Sequence, residues 1–492
     1  MLAAEVAPIA KIGGLGDVAG ALPKILFHLG ADIKLCLPFY SFIDAKKYKI
    51  KKINEKILVP LAKGKKTIGL YKTNLPETKV PVYLIKHKFF QGKNIYLGPR
   101  IKKGNKYTRP MDDIERFSFF TRASLEAARF LNFRPDIIHA HDWHTALAAN
   151  FIKEDNKKDD FFKNTKIIYT IHNLANQGIA KPKILSFSGL DKNTPIIKAD
   201  LKNGDINFMV QGILSADIVN TVSPTYAREI LTHYQGAGLE KILKKRKKNL
   251  YGIINGIDTD FFNPAKDKYI AQNYKINSLD KKLKNKLTLQ KKLGLPLDKN
   301  MAVVGLVSRL VWQKGVNLIM EKFAKLPCQF VFLGTGQKEY ENHLIKLTKK
   351  YPSQFSAQIK FDEGLAHLIY AGSDIFLMPS LFEPCGLGQM IAMRYGTVPV
   401  VRATGGLADT VTNFQFLISN QILNLKSIQP TGFVFKKFNS SSLYKILKSA
   451  LKIYYGYPKT WRQLQVNGMR KDFSWNKSAK EYIKLYKKTN RK

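Results

Sequence analysis

Short apolar runs alternate with longer stretches in which apolar residues recur every three or four positions along most of this chain. Short runs of this kind predict buried strands, and the longer stretches predict amphipathic helices. The alternation starts again after a polar, lysine-rich segment at 264–298, so each half of the chain contains it once. Strands that alternate with helices indicate a parallel sheet covered on both faces. We therefore expect an α/β protein with two doubly wound domains, each presenting ligand loops at the carboxyl ends of its strands.

Apolar runs mark the expected strands, and one long stretch marks a packed helix at 111–131. The lysine-rich segments between the first strands are expected to be connections. The predicted strands are 31–38, 66–71, 80–86, 135–141, 166–173, 216–222, 301–308, 328–334, 358–361, 373–379 and 397–401.

Two neighbouring loops in the second half combine an acidic and a glycine-rich sequence. The loop after strand 373–379 carries Glu383, and Gly386 is expected to open a helix that ends near Arg394. The loop after strand 397–401 reads TGGL, and its backbone N–H groups at a helix start suit phosphate oxygens. A carboxylate suits sugar hydroxyls or a developing positive charge. A nucleotide sugar carries both kinds of group.

A further glycine-rich loop, KIGGLGD at 11–17, precedes a predicted helix near the start of the chain. Its glycines allow tight turns, and Lys11 adds a cation for a diphosphate. A dinucleotide-binding fingerprint is the competing interpretation. The GxGxxG spacing is absent, and no complete strand precedes the loop.

The formal net charge of +44 raises the question of nucleic acid as a partner. The excess is mostly lysine and is spread over several segments, without an RNA-binding aromatic motif, zinc finger or basic zipper. Segments such as 279–295 predict amphipathic helices with solvated lysine faces. We expect no specific nucleic-acid binding, because phosphate affinity without a reading element gives only non-specific binding.

Cysteine content and hydropathy indicate the cellular compartment in which the protein is expected. The 3 cysteines are widely spaced, which argues against a disulfide framework or a cysteine-based zinc site and fits a reducing cytoplasm. No apolar run approaches the roughly 18 residues of a membrane helix. The first residues lack the pattern of a signal peptide. We expect a cytoplasmic protein without membrane segments.

Three histidines at 139, 141 and 144 invite a metal hypothesis, since imidazole is a common metal ligand. Their spacing does not match a two-histidine zinc helix, and no cluster of ligands completes a metal site. Buried core histidines are the simpler interpretation of His139 and His144, and no metal is expected.

Ordered motifs resemble those of one enzyme family across residues 3–480. The stretches are KIGGLGDVAGALPK, HAHDWH, YTIHNL, TVSPTYAREI, INGIDTDFFNP, SRLVWQKG, FEPCGL and TGGLADTV. They resemble, in the same order, the signatures of bacterial glycogen synthases and plant starch synthases. The resemblance implies the GT-B arrangement, in which two doubly wound domains face a cleft and a C-terminal helix crosses back. It places an N-terminal catalytic domain at 1–250, a nucleotide-sugar domain at 251–475 and a crossover helix with a basic tail at 476–492.

The activity that the resemblance implies is transfer of glucose from ADP-glucose to an α-1,4-glucan, with retention of configuration and without a cofactor. Retaining glycosidases need two carboxylates roughly 5 Å apart, and no motif here contains such a pair. A different GT-B donor or acceptor is the alternative, with UDP-glucose left open as the donor. A non-catalytic glucan- or anion-binding protein is a third hypothesis. No feature of the sequence specifies an oligomeric state.

The resemblance also assigns site residues. Arg309, Lys314 and Lys11 would stabilise the leaving diphosphate, Glu383 would lie nearest the anomeric carbon, and His141 would approach the transferred glucose. Asp112 is either a charge favoured by the helix dipole or part of the donor-sugar pocket. Phe361 would stack on the nucleotide base, and Cys385 would line the pocket. The expected donor-binding residues are Lys11, Gly13, Gly14, Asp17, Asp112, Asn255, Phe361, Cys385, Gly386, Leu387, Thr404, Gly405 and Gly406.

Some positions depart from the family pattern. Ile12, Asp113, Gly388 and Ile391 stand where Thr, Asn, Thr and Tyr are common. Only residues 1–4 remain of the apolar strand that precedes the first motif in family members. That strand would lie centrally in the sheet, so we expect either a natural start a few codons upstream or an impaired, clipped protein.

Overall fold

The computed structural model describes residues 1–98, 102–103, 106–107, 112–414 and 429–490. Contacts within the chain divide it into two units. Unit 1 comprises Met1–Val222, Ala227–Ile253 and Trp475–Lys492, and unit 2 comprises Ser223–Tyr226 and Ile254–Ser474. Each unit contains its own parallel sheet flanked by helices, which confirms the expected fold class.

Unit 1 is built on two four-stranded sheets that Leu2 joins. The first has the order β12-β11-β8-β7 and is fully parallel, and the second has the order β1-β4-β3-β2. Leu2 forms parallel bridges to Cys36 of β1 and to Ala140 of β7. The strands are β1 (Leu35–Pro38), β2 (Lys51–Pro60), β3 (Lys65–Asn74), β4 (Pro81–Lys86), β5 (Lys102–Lys103), β6 (Lys106–Tyr107), β7 (Ile137–His141), β8 (Lys166–Ile171), β9 (Ile179–Ala180), β10 (Ile206–Asn207), β11 (Ile218–Thr221) and β12 (Leu250–Gly252).

Helices alternate with the strands of unit 1 along the chain. They are α1 (Gly14–His28), α2 (Asp113–Phe130), α3 (Asp142–Thr145), α4 (Ala148–Asp155), α5 (Leu185–Ser188), α6 (Pro195–Asp200), α7 (Phe208–Ser215), α8 (Pro224–Glu229, which begins in unit 2) and α9 (Glu240–Lys245). The long helix expected at 111–131 is confirmed as α2.

The lysine-rich segment before the second predicted strand is itself a strand. Residues 51–60 form β2, which pairs antiparallel with β3 at the edge of the sheet. The prediction of a connection here was wrong. Only Ile57 and Val59 of this strand are buried, so its hydrophobic signal is weak.

Unit 2 contains a six-stranded parallel sheet with the order β15-β14-β13-β16-β17-β18. Its strands are β13 (Ala302–Val307), β14 (Cys328–Leu333), β15 (Phe355–Gln358), β16 (Ile375–Met378), β17 (Val398–Arg402) and β18 (Phe433–Phe435). The chain runs outward from β13 to β15 and then returns to β16 on the other side of β13. The order reverses between β13 and β16, and such a switch point is where open α/β sheets bind ligands.

The helices of unit 2 follow the same alternation. They are α10 (Lys282–Lys292), α11 (Lys338–Lys350), α12 (Glu363–Gly372), α13 (Gly388–Arg394), α14 (Gly405–Thr410), α15 (Ser440–Gly456) and α16 (Pro458–Arg470). Short 3-10 helices occupy Ile276–Lys281, Trp312–Lys314, Val316–Leu318 and Glu321–Lys325. Within the described residues, every helix is too short or too polar to cross a bilayer.

The last helix, α17 (Trp475–Asn490), belongs to unit 1 rather than unit 2. Its residues Trp475 and Tyr482 share one apolar cluster with Val18 and Leu22 of α1. The Tyr482 hydroxyl accepts a hydrogen bond from Asn220 of β11 at 3.1 Å. The chain thus returns to unit 1 as expected.

Helix α10 does not have the fully solvated lysine face that its sequence predicts. Lys282 and Lys286 are both buried. Lys282 donates to the carbonyls of Tyr370 and Ala371 at 3.2 and 2.6 Å, and Lys286 pairs with Asp374 at 2.9 Å. The two lysines are four residues apart, so they lie on one face with the buried side of the helix.

Candidate functional site

An ion pair joins the two loops that flank the switch point of the unit 2 sheet. Nζ of Lys314 lies 2.6 Å from Oε2 of Glu383, and the Ser380 hydroxyl donates to the same oxygen at 2.9 Å. Glu383 is only 6% exposed. Burial removes water from both charges, and each charge is then stabilised mainly by its partner. The pair is therefore held in one geometry. A ligand at this edge of the sheet would contact an ammonium group and a carboxylate that are already held in position.

Hydrogen bonds along the two loops set the spacing of that pair. The N–H of Leu381 donates to the Gln313 carbonyl at 2.8 Å. The Gln313 side chain donates to the Phe382 carbonyl at 3.0 Å. These bonds fix the residues immediately before Lys314 and Glu383.

The glycine-rich loop after β17 packs directly on the loop that carries Glu383. A Cβ atom at Gly405 would lie 2.0 Å from the Glu383 carbonyl oxygen, and one at Gly406 would lie 2.0 Å from the Cys385 carbonyl oxygen. The N–H of Gly406 donates to the Glu383 carbonyl at 3.1 Å. The TGGL loop was expected to offer free backbone N–H groups. At Gly406 this expectation was wrong, because the Glu383 carbonyl of the neighbouring loop accepts the N–H. Both glycines are needed for the close approach of the loops.

In contrast to Gly406, the residues just before α13 have backbone N–H groups without an acceptor in the described part of the chain. This helix begins at Gly388, later than the expected start at Gly386, which has a left-handed φ of 72°. No described residue accepts the N–H of Gly386 or of Leu387. Backbone N–H groups at a helix start are suited to an anionic oxygen.

Asn255 and Cys385 are buried side by side in unit 2. Burial raises the pKa of the Cys385 thiol to about 12, partly offset by the backbone N–H of Asn255. The thiol stays protonated near neutral pH, so it is a lining group rather than a nucleophile. The side-chain oxygen of Asn255 is buried, and no described residue donates to it. Buried acceptors are normally paired, so this oxygen is available to a ligand hydroxyl.

The other predicted residues of unit 2 differ in exposure. Phe361 is 90% exposed and offers a free aromatic face. Arg309 is exposed, and no described carboxylate forms an ion pair with it. Thr404 is completely buried at the start of α14. Arg309 and Phe361 are thus accessible, whereas Thr404 supports the loop.

In unit 1, Glu5 organises the glycine-rich loop before α1. Its buried carboxylate accepts the N–H groups of Ile12 and Gly13 at 2.6 and 2.7 Å, and the Tyr96 hydroxyl at 2.5 Å. Gly14 then begins the helix without a side-chain cap. Glu5 was not among the predicted site residues. The signal that marks it is a single acid within an otherwise apolar run at 2–10.

Two further predicted residues of unit 1 have defined partners. Lys11 forms an ion pair with Asp17 at 2.6 Å across the loop. Asp112 forms the capping box of α2, because its side chain accepts the N–H of Glu115 at 3.0 Å and Glu115 reaches back to its backbone. The structure thus shows the capping role for Asp112, and its donor-sugar role stays a prediction.

A pair of histidines lies at the carboxyl ends of β7 and β8. Nδ1 of His141 is 2.9 Å from Nε2 of His172. Burial lowers the pKa of both rings, to about 3 for His172, so both are neutral at physiological pH. His141 is completely enclosed, whereas His172 is half-buried. A ligand at this edge would reach His172 first, and His141 would support it.

Asp142 holds the backbone beside that histidine pair. Its carboxylate accepts the N–H of His172 at 2.7 Å, and burial raises its pKa to about 7. Asp142 has a φ of 53°, a left-handed conformation that L-residues rarely adopt. Strain of this kind persists where the surrounding structure enforces it, often at functional sites.

His139 and His144 are buried within unit 1. His139 bonds to Thr170 at 2.7 Å and to Tyr486 at 2.8 Å. Across the described residues, no group of three or more His, Cys, Asp or Glu side chains is placed to hold a metal ion.

Two protein families match separate parts of the chain. Residues 1–245 match the starch synthase catalytic domain, and residues 285–465 match the glycosyl transferases group 1.

Individual relatives cover the whole chain. A glycogen synthase of Thermotoga maritima is 45% identical over 98% of this chain and 97% of its own length. One of Thermosipho melanesiensis is 42% identical over 99% of this chain and 98% of its own length. The catalytic domain of starch synthase IV from Arabidopsis thaliana, solved with ADP and acarbose, superimposes with a TM-score of 0.88. It is 34% identical and covers 100% of this chain and 99% of that one.

Proposed function

Because this chain belongs to the glycogen and starch synthase family of glycosyltransferases, we propose that its donor is ADP-glucose and its acceptor the non-reducing end of an α-1,4-glucan. The chain is a hexosyltransferase. The observation that carries the proposal is the ion pair of Lys314 and Glu383 at the switch point of unit 2. In a nucleotide sugar the anomeric carbon and the β-phosphate share one oxygen. The two groups are therefore one atom apart, and a cation and a carboxylate in contact, such as Lys314 and Glu383, are close enough together to face one each.

The proposed chemistry follows from those charges. The bond between the anomeric carbon and the phosphate oxygen breaks, and a bond to the acceptor 4-hydroxyl oxygen forms on the same face. The hydroxyl proton passes to the departing diphosphate. Arg309, Lys314 and Lys11 stabilise the negative charge of that diphosphate, and Glu383 stabilises the positive charge that develops on the sugar. The N–H groups of Gly386 and Leu387 add hydrogen bonds to phosphate oxygens.

Other groups are proposed to hold the donor. The side-chain oxygen of Asn255 accepts a hydrogen bond from a sugar hydroxyl, and Phe361 stacks on the nucleotide base. His172 contacts the glucose, with His141 and Asp142 fixing its ring and backbone. The adenine nucleotide is favoured because the Arabidopsis relative was solved with ADP.

A cytoplasmic location is part of the proposal. The described chain has three cysteines, all free and buried. Free thiols persist in a reducing compartment.

A donor screen tests the proposal. Purified protein is given ADP-glucose or UDP-glucose with a maltooligosaccharide primer, and chain extension is measured together with the configuration of the new linkage. We expect extension with ADP-glucose through α-linkages, at a higher kcat/KM than with UDP-glucose. Turnover with UDP-glucose alone would contradict the donor assignment only. Absence of extension with both donors would contradict the activity.

A further inference from the structure

A pocket of about 460 Å³ lies in unit 1 at the amino ends of its strands. Lys166, the first residue of β8, and Asp217, which precedes β11, both line it. His141 and His172, in contrast, lie at the carboxyl ends of β7 and β8. The pocket is therefore at the opposite edge of the sheet from the proposed donor-binding loops.

Positive charge dominates this pocket. Lys153 of α4, Lys163, Lys166 and Arg246 line it, and Asp217 is the acidic side chain among the lining residues. Among the described residues, no carboxylate lies within ion-pair distance of Lys153, Lys166 or Arg246. The Asp217 carboxylate accepts the N–H of Ile167 at 2.7 Å, so part of its capacity is already used.

Helix capping accounts for only part of this arrangement. Nη2 of Arg246 donates to the carbonyls of Ala216 and Asp217 at 2.6 and 3.0 Å, just after the end of α7. A cation at a helix C-terminus is ordinarily stabilising. Nε of the same guanidinium is nevertheless buried, and no described residue accepts its hydrogen.

A second unpaired polar group lines the same pocket. Ser215, the last residue of α7, is 6% exposed. Its hydroxyl has no hydrogen-bond partner among the described residues. Leaving a buried donor unpaired costs about 1–3 kcal/mol. Ser215 and Arg246 together would be satisfied by a ligand rich in acceptor oxygens.

The environment of Lys153 disfavours its positive charge. Loss of hydration is the main cause of its lowered pKa; the carboxylate of Asp217 opposes this shift, and Arg246 adds a smaller lowering. A bound anion would reverse this effect.

We propose that this pocket binds a small phosphorylated anion, with Arg246 and Ser215 as hydrogen-bond donors and Lys153 and Lys166 as charge partners. Phosphate suits the site because its oxygens accept several charge-assisted hydrogen bonds at once. The volume is that of a small-molecule pocket. The site is separate from the proposed catalytic residues and goes beyond the proposed function.

Binding of inorganic pyrophosphate, measured by titration calorimetry, tests the proposal. All proteins carry Lys314→Ala, because the unpaired Glu383 then repels pyrophosphate from the proposed donor site. We expect Lys153→Glu and Lys166→Glu each to weaken binding at least tenfold. Ser215→Ala, which leaves the charge unchanged, is expected to weaken it about threefold.

Lys158→Glu is the matched control, because Lys158 is exposed, lies close to α4 in the chain and is not among the pocket residues. It changes the net charge equally and should alter the dissociation constant less than twofold. Equal weakening by Lys158→Glu would overturn the proposal, since long-range charge alone would then explain binding. Absence of pyrophosphate binding to the Lys314→Ala protein would also overturn it. The donor screen uses the unaltered protein, so either hypothesis can fail alone.

Discussion

Glu383 and Lys314 share one hydrogen-bonded geometry, so their contributions to turnover are expected to depend on each other. Removing either partner leaves the other charge poorly hydrated and misplaced. Both would act on one transition state, Lys314 on the departing phosphate and Glu383 on the sugar.

We therefore expect Glu383→Ala and Lys314→Ala each to lower kcat by about 10²–10³-fold, the usual cost of losing one preorganised charge. The double variant should lose less than the product of the two single effects, because residues that act as a unit are non-additive. Steady-state kinetics with ADP-glucose and a glucan primer measure all three.

Lys338 and Glu341 supply the control. This ion pair in α11 joins an exposed lysine to a buried glutamate at 2.7 Å, outside the proposed site. The corresponding alanine variants should retain near-normal kcat. Near-normal glucosyl transfer by Glu383→Ala or Lys314→Ala would remove the pair from the mechanism.

Single residues differ in how well the sequence could predict them. Lys314 and Glu383 were selected because they stand in motifs at strand ends, and the structure brings the two side chains into contact, whereas their catalytic roles stay predictions. The pairing of His141 with His172 was not, since residues from different strands meet only through the order of the sheet. The hydrogen bond of Gly406 to Glu383 depends likewise on how closely two loops pack, which no sequence pattern specifies.

At the scale of a single element, the geometry of the loop before α1 depends on one buried acid. Glu5 accepts two consecutive N–H groups of that loop, and the Tyr96 hydroxyl binds the same carboxylate. Hydrogen bonds to a charged acceptor contribute about 1.5–3 kcal/mol, against about 1 kcal/mol for neutral ones. The charge thus matters to loop geometry beyond the shape of the side chain.

Glu5→Gln keeps the size of the side chain and removes its charge. We expect the KM for the donor to rise about tenfold, since roughly 1.4 kcal/mol corresponds to a factor of ten, with a small loss of thermal stability. Donor-saturation kinetics and thermal unfolding measure the two effects. Asp200→Asn is the matched control, because Asp200 also accepts a backbone N–H in unit 1, that of Asn207 at 2.9 Å. An unchanged KM in Glu5→Gln would refute the role of Glu5.

Other elements show where hydrophobic pattern succeeds and fails. Buried parallel strands such as β13 and β14 are continuous apolar runs and were predicted correctly. The edge strand β2 buries few side chains, so its sequence is typical of a connection. In α10 the pattern predicted the helix but not the burial of Lys282 and Lys286, because carbonyls and Asp374 from other segments surround them.

On the scale of the whole molecule, the net charge of +44 and an isoelectric point near 9.9 make stability depend on pH. Repulsion among many lysines is relieved as pH rises toward the isoelectric point. The buried Lys282 adds a second, local contribution of the same sign. Lys282 allows the two to be separated, because it is 5% exposed and has a defined set of partners.

The surroundings of Lys282 favour its neutral form. Loss of hydration lowers its pKa from 10.5 to about 7, with Asp374 opposing the shift and Lys286 adding to it. Between about pH 7 and 10.5 the unfolded chain therefore binds a proton at Lys282 that the folded chain lacks. The free energy of unfolding must rise with pH in this window, by up to about 1.4 kcal/mol per pH unit.

Lys282→Met removes this ionisation and keeps an unbranched side chain. We expect the variant to be less stable overall, because the Ala371 carbonyl loses its donor, yet to show a shallower rise in unfolding free energy between pH 7 and 10. Denaturant unfolding of unit 2 across that range gives the slope. Lys281→Met is the control, since Lys281 is exposed and precedes Lys282; it should reproduce the slope of the unaltered protein. Equal slopes in all three proteins would show that Lys282 keeps its ordinary pKa, and the pH dependence would then arise from the net charge alone.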